Sequence, residues 1–431
     1  PYTDRAIVYR AEHGFAHRDV ALSVGVQRMV RSGAASAGTM FTLDPESGFR
    51  GVVVIDGAWG LGESVVQGRV TPDEWIVHKA GCRAGHRAIV DCRVAEKPVR
   101  LVPVEPPAGE PVAAGDATIR EEPVPEADRR RPVLEDAEVL QLATWAMTIE
   151  EHATARAGRD TPMDIEWARD APTGELFIVQ ARPETVHSRE TGEVLETFRV
   201  RGITGEPLVR GKAVGNRAAA GPVRVVHDAS DLHGFPDGAV LVTEMTDPDW
   251  EPVLSRAAAV VTDTGGRTCH AAIVSRELGL PCVVGCGDAT TRLEDGATVT
   301  VVCSAGDEGQ VHAGRLEIER TRLDLAALPE SPVPLMLNLA DPRRAFQLAS
   351  LPAAGVGLLR TEFIVTNAVG VHPMALAHPE RVTDPADREA IAARIREAGG
   401  DPCDPAAHAE HLVRRLAFGV GRIAAAMHPR P

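Results

Sequence analysis

The sharpest chemical signal in this sequence is a histidine set among small residues: Thr264-Gly265-Gly266-Arg267-Thr268-Cys269-His270-Ala271-Ala272-Ile273. The apolar run Ala257 to Thr262 predicts a buried strand, the glycine pair a tight turn, and a helix opens near Thr268 and continues to Leu278. His270 then falls in the first helical turn, where backbone N–H groups and the positive end of the dipole favour an anion. An imidazole nitrogen there is well placed to carry a phosphoryl group. The small residues on either side read as room for a bulky substrate. A capping or packing histidine is the bland alternative, and spacing leaves it open.

A second constellation joins Met163-Asp164-Ile165-Glu166-Trp167-Ala168 to Leu176-Phe177-Ile178-Val179-Gln180-Ala181-Arg182-Pro183. A hairpin centred on Thr173 sets Glu166 opposite Gln180 and Asp164 opposite Arg182. Opposed side chains lie about 4.5–5.5 Å apart at Cβ, so a carboxylate and an amide oxygen could share one hard cation such as magnesium. Polar residues on the wet face of an ordinary hairpin would look the same. Asp56-Gly57-Ala58-Trp59-Gly60-Leu61-Gly62-Glu63 follows a strand but has neither P-loop nor GxGxxG spacing. In Gly355-Val356-Gly357-Leu358-Leu359-Arg360-Thr361-Glu362-Phe363, Arg360 ends a strand, where it could bind phosphate or carboxylate, or simply pair with Glu362. Cys282 and Cys286 read as buried thiols, and His78, His312 and His372 lack partner spacing. No HExxH, GxSxG or zinc-like cluster occurs.

The elements that must position these groups follow from periodicity. Strands are predicted at Val52–Ile55 and Trp75–Val77, a proline-rich loop over 101–132, a helix from Glu135 to Arg156, and two strands within 162–183. Polar residues 188–205 read as a linker. Residues 206–320, with Val-rich strands at 223–226, 239–242, 257–262, 282–284 and 298–302, read as a small α/β domain. A second linker spans 321–332, and strand–helix–strand over 335–359 opens a parallel α/β unit. At 431 residues the chain suits about three domains, and 44% hydrophobic with 25% charged residues excludes wholesale disorder. A net charge of −15 argues against a nucleic-acid or anionic-membrane binder. No apolar run reaches the ~18 residues of a membrane span, and no signal peptide opens the chain. Seven cysteines without a CxxC pair fit reduced cytosolic thiols. Lys79, Lys97 and Lys212 are the only lysines.

The histidine segment, with Met245-Thr246-Asp247-Pro248-Asp249-Trp250-Glu251-Pro252 upstream, resembles the phosphohistidine signature of the PEP-utilising enzymes. DIEWA followed by VQARPET resembles their ATP-grasp domain. Val26-Gln27-Arg28-Met29-Val30, Phe41-Thr42-Leu43-Asp44-Pro45, the 56–63 loop and Pro72-Asp73-Glu74 accompany it, and GVGLLRTEF resembles the start of their PEP-binding barrel.

The resemblance implies an α/β multidomain protein: ATP-grasp over 1–187, a swivelling phosphohistidine domain over 206–320, and the beginning of a (β/α)8 barrel over 333–431, with 188–205 and 321–332 as hinges. It implies that His270 takes a phosphoryl group from ATP and passes it to pyruvate, giving AMP, phosphoenolpyruvate and phosphate. It also implies that Glu166 and Gln180 hold Mg²⁺, Arg182 contacts the ATP phosphates, Arg360 holds the substrate phosphate, and Thr268 is the position a regulatory kinase modifies. A cytoplasmic enzyme, homodimeric at full length, is expected. The opening at Pro1 and the close at Pro431 read as a fragment lacking the N-terminal ATP-grasp lobe and the later barrel strands. Transfer to another small molecule, or a non-catalytic phosphohistidine carrier, are the competing readings.

Overall fold

The computed structural model describes residues 7, 10, 15–16, 23–104, 118–184, 194–228, 234–247, 250–325, 327–329 and 331–431. Its first strands are β1 Ser36–Phe41, β2 Val52–Trp59, β3 Asp73–His78, β4 Ile89–Arg93, β5 Val99–Pro103, β6 Ile119–Pro123, β7 Met163–Arg169 and β8 Leu176–Pro183. Six of them build one antiparallel sheet in the order β4-β3-β2-β1-β7-β8. Strand alternation gives this sheet two unlike faces. One carries Met40, Val53, Ile55, Trp75 and Ile165, all buried against the helix Asp136–Ala157. That helix has the predicted apolar stripe of Val139, Leu142 and Ala146. A capping box between Glu135 and Glu138 starts it, and left-handed Gly158 stops it.

Residues 101–132 are not the single loop that their prolines suggest. β5 and β6 pair as a two-stranded ribbon, and Glu126–Arg129 adds a helical turn. Residues 105–117, between the two strands, lie outside the described residues. The polar composition signals exposure, but cross-strand hydrogen bonding, which composition does not encode, makes the ribbon.

Next come β9 Val194–Arg201, β10 Val209–Val214, β11 Ala218–Val225, β12 Val240–Thr243, β13 Ala259–Thr262, β14 Cys282–Val284, β15 Thr298–Val302, β16 Glu308–Ala313 and β17 Glu317–Asp324. Strands β10 to β16 close into a barrel ordered β10-β14-β13-β12-β11-β15-β16. Closure leaves no exposed edge, and the Val-rich strands fill the interior. β9 and β17 lie outside it and pair antiparallel along their whole length, from Arg201 opposite Glu317 to Val194 opposite Asp324. The two segments read as linkers therefore include strands that run side by side. Residues 188–193, 326 and 330 of those segments lie outside the described residues.

The last segment holds β18 Met336–Leu339 and β19 Gly355–Leu359, a parallel pair around a short helical connection, as the strand–helix–strand rhythm predicts. It ends in the helix Pro405–Met427, capped by the Asp404 side chain with proline at its start. This segment covers the second face of the sheet. Val52, Val54, Ile76 and Val90 pack there against Leu339, Phe346 and Ile423. No helix among the described residues is long and apolar enough to cross a membrane.

Candidate active site

Directly opposed residues of an antiparallel sheet share a face. The register therefore lays Glu74, Asp56, Thr39, Glu166 and Gln180 in one row across β3, β2, β1, β7 and β8. Glu166 stands opposite Gln180 and Asp164 opposite Arg182, as the hairpin predicts; a bulge after Glu166 shifts the pairing beyond. Against one end of this row lies a cavity of about 570 Å³. Gln27, Arg28, Gly62, Glu63, Glu166 and His270 are among the residues that line it.

His270 enters this cavity from the seven-stranded barrel. It is the first residue of the helix His270–Leu278, with Cys269 as the extended N-cap. Thr246 Oγ1 lies 3.1 Å from His270 Nδ1. When Nδ1 carries the proton and donates to that hydroxyl, Nε2 keeps the lone pair of a nucleophile.

The residues around the histidine serve packing more than space. A Cβ on Gly266 would come within 2.6 Å of Pro72, and one on Gly265 within 2.9 Å of Cys269 Sγ. The glycine pair thus lets the barrel seat on the loop before β3. Ala271 and Ala272 are buried in the barrel's outer core. The expected room for substrate comes from the cavity instead.

Thr268 is no helix cap. Its hydroxyl donates to Asp56 Oδ2 at 2.6 Å in a buried contact. Burial, and then the nearby charge of Glu74, push the Asp56 carboxyl up to about 7, against the pull of Lys212, the Thr268 hydroxyl and Arg267. Burial would also raise Glu74, but Arg267, Lys212 and Arg93 outweigh it and hold that carboxyl low. Arg267, almost fully buried, forms an ion pair with Asp307 at 2.7 Å and lies 3.9 Å from Glu74. Asp307 also takes Arg93 at 2.6 Å and Arg422 at 3.1 Å. These three arginines outweigh the burial penalty and keep Asp307 ionised far below the usual carboxylate range. Arg276 bonds Glu46 across the same interface.

His270 and Glu166 therefore meet in one cavity. Gln180 is exposed beside Glu166, and Arg182 is exposed and pairs with Asp164 at 2.8 Å, outside the cavity lining. Arg360 follows β19 in the last segment, exposed above the Phe363 ring, and does not line that cavity. Burial first, then Asp164, raise the Glu166 carboxyl, and Arg182 lowers it only in part. Sequence reasoning missed roles for Thr246, Asp56, Glu74 and Arg267. All four stand within quoted motifs, yet only the fold sets them against the histidine or across the joint between sheet and barrel. Lys212, one of three lysines, carries its charge toward Asp56 and Glu74.

Residues 1–201 match the pyruvate phosphate dikinase AMP/ATP-binding domain, and residues 235–306 match the PEP-utilising enzyme mobile domain. The whole chain is 49% identical to the phosphoenolpyruvate synthase of Pseudomonas aeruginosa over 430 residues, and covers 52% of that protein. It is 48% identical to the Escherichia coli phosphoenolpyruvate synthase over 429 residues, all of this chain and 51% of that one. With the Aquifex aeolicus phosphoenolpyruvate synthase, 88% of this chain is 47% identical to 44% of the relative. The chain thus spans about half the length of the curated relatives it matches. Its two matched domains and this identity along its length are what the chain shares with the PEP-utilising enzymes.

Proposed function

We propose that this chain is the ATP-handling and phosphoryl-carrying portion of a phosphoenolpyruvate synthase, which converts ATP, pyruvate and water to AMP, phosphoenolpyruvate and phosphate. One observation carries the reading: His270 and Glu166, from different parts of the fold, line one cavity large enough for a nucleotide's phosphates. In this reading residues 1–187 form the C-terminal part of an ATP-grasp domain, 206–320 the swivelling carrier, and 333–431 the start of the pyruvate-binding barrel.

His270 Nε2 attacks the β-phosphorus of bound ATP and breaks its bond to the α-phosphate oxygen; AMP leaves, water then takes the γ-phosphate off as free phosphate, and the β-phosphoryl group stays on the ring. Thr246 fixes the tautomer and orientation at Nδ1. The helix N-terminus favours the anion formed on the imidazole. Glu166 and Gln180 fit magnesium: two hard oxygens sit on neighbouring strands, and a cation relieves the burial that raises the Glu166 carboxyl. No group of three His, Cys, Asp or Glu side chains among the described residues could hold a metal, so phosphate oxygens and water would complete the shell. When bound, the ion neutralises phosphate charge. Arg182 reaches phosphate by exchanging Asp164 for it. Arg360 holds the phosphate of phosphoenolpyruvate at the second site, so the carrier serves two places. A regulatory kinase acts on Thr268 only when the Asp56 contact is open. A homodimeric cytoplasmic enzyme completes the proposal.

The test incubates the full-length protein and its His270→Ala variant with β-³²P-labelled ATP and magnesium. Acid-labile, base-stable label on the unmodified protein alone, discharged by pyruvate, is the expected result. Label that pyruvate leaves in place would assign another acceptor. A folded protein that takes no label from ATP would be a carrier without this activity.

A further inference from the structure

A second cavity, of about 170 Å³, lies where β4, the turn after β18 and the helix Pro405–Met427 meet. Its charged lining is Arg93, Arg343, Arg415 and Arg422 against Asp91 and Asp341. It shares no residue with the cavity around His270, and Arg360 is not part of it. We propose that this cavity is a binding site for free phosphate.

The carboxylates there are already taken. Asp341 receives Arg343 through both oxygens at 3.0 Å. Asp91 Oδ2 accepts from Arg93 and Arg422, each at 3.1 Å, and Asp91 Oδ1 accepts the Cys92 N–H at 3.0 Å. Behind the lining, Asp307 divides its oxygens among Arg267, Arg93 and Arg422. Donors outnumber acceptors. Half-buried Arg415 has no carboxylate within ion-pair distance among the described residues, and Arg422 Nε is buried without a hydrogen bond. Arg422 is only 4% exposed and stacks over the Phe346 ring at 4.8 Å, so its guanidinium is fixed in place.

The charge count points the same way. Four guanidiniums face two carboxylates at the lining, an excess of two. Including Arg267, Glu74 and Asp307 behind it leaves an excess of one. Phosphate carries between one and two negative charges near neutral pH and accepts several forked N–H bonds at once. The burial of Arg415, and its neighbours Arg93 and Arg414, lower its pKa against the pull of Asp91, so an added anion also relieves that guanidinium. The volume holds a phosphate ion with room for water, and an ester would give up one of the ion's four acceptor oxygens to its substituent. The walls come from the sheet and the C-terminal segment, and Asp307 links them to the seven-stranded barrel, so bound phosphate joins all three.

Inorganic phosphate is titrated calorimetrically into the full-length protein at constant ionic strength in chloride. Arg415→Gln, Arg343→Gln and Glu166→Gln variants are compared, each verified folded by circular dichroism. The expected result is one saturable site kept by E166Q and weakened at least tenfold in R415Q and R343Q. Arg343 is partly exposed, so R343Q decides if R415Q does not fold. Phenyl phosphate should compete poorly; tighter binding of the ester would overturn assignment to the free ion. Absence of saturable binding, or binding lost in E166Q and kept in both arginine variants, would overturn the site itself.

Discussion

One face of the six-stranded sheet is held in two unlike ways. Toward one end Val52, Val54 and Ile76 meet the C-terminal segment through apolar contacts, with the Arg422–Asp91 ion pair beside them. Two residues farther along β2 and β3, the same face presents Asp56 and Glu74 to the seven-stranded barrel, which answers with Thr268, Arg267 and Lys212. Apolar burial is non-directional and indifferent to pH and salt near neutrality. Buried ion pairs gain little net free energy over an apolar isostere, yet breaking one leaves a stranded charge. The first arrangement suits a permanent joint. The second suits one that forms in a single register and lets go when charges change.

The largest way to break the contrast is Asp307→Asn. It takes from Arg267 its nearest carboxylate and leaves Arg93 and Arg422 to share Asp91, and urea unfolding should show a loss of about 3–5 kcal/mol. Leu339→Ala attacks the apolar joint and should cost about 3 kcal/mol, with the same value at low and high salt. If that loss is salt-dependent, the two joints are not different in kind. A pH titration sharpens the contrast further. Asp56 has its carboxyl raised to about 7 when the barrel is seated, against about 3.9 when exposed. Its contribution to seating is therefore complete below about pH 4, falls by up to tenfold per unit between about 4 and 7, and is gone above 7. Energy transfer between dyes on the sheet and the barrel should report this, and Asp56→Asn should flatten the profile. The smallest effect belongs to Thr268→Val, which removes one buried hydrogen bond and should weaken seating by about 1–2 kcal/mol in the same assay.

Much of the local architecture is legible before any fold is known. The hairpin register around Thr173, the helix beginning at His270 and the parallel pair around residues 345–348 all follow from patterns spanning fewer than thirty residues. What is not legible depends on distant partners. Closure of the barrel brings β10 beside β16, about a hundred residues away. Thr268 meets Asp56 across 212 positions, and Arg422 meets Asp91 across 331. Polarity misleads at β5–β6 and β9–β17, where hydrophilic residues pair into ribbons because the pairing uses backbone groups. The small residues flanking His270 show the same limit. Gly265, Gly266, Ala271 and Ala272 announce a close approach, but only the fold shows that the visitor is Pro72 and the barrel core.

The ribbon of β9 and β17 has a consequence for reach. A carrier tied by two independent flexible strings explores a volume, and its local concentration at any target falls as the strings lengthen. Here the incoming and outgoing strands are laced together over eight residues, with Arg201–Glu319 and Arg320–Glu196 pairs across them. They form a single stalk about 27 Å long at 3.4 Å per residue. A stalk bends and twists from its ends but does not stretch. On the proposed reading His270 would then travel an arc of nearly fixed radius, with the second site on that arc.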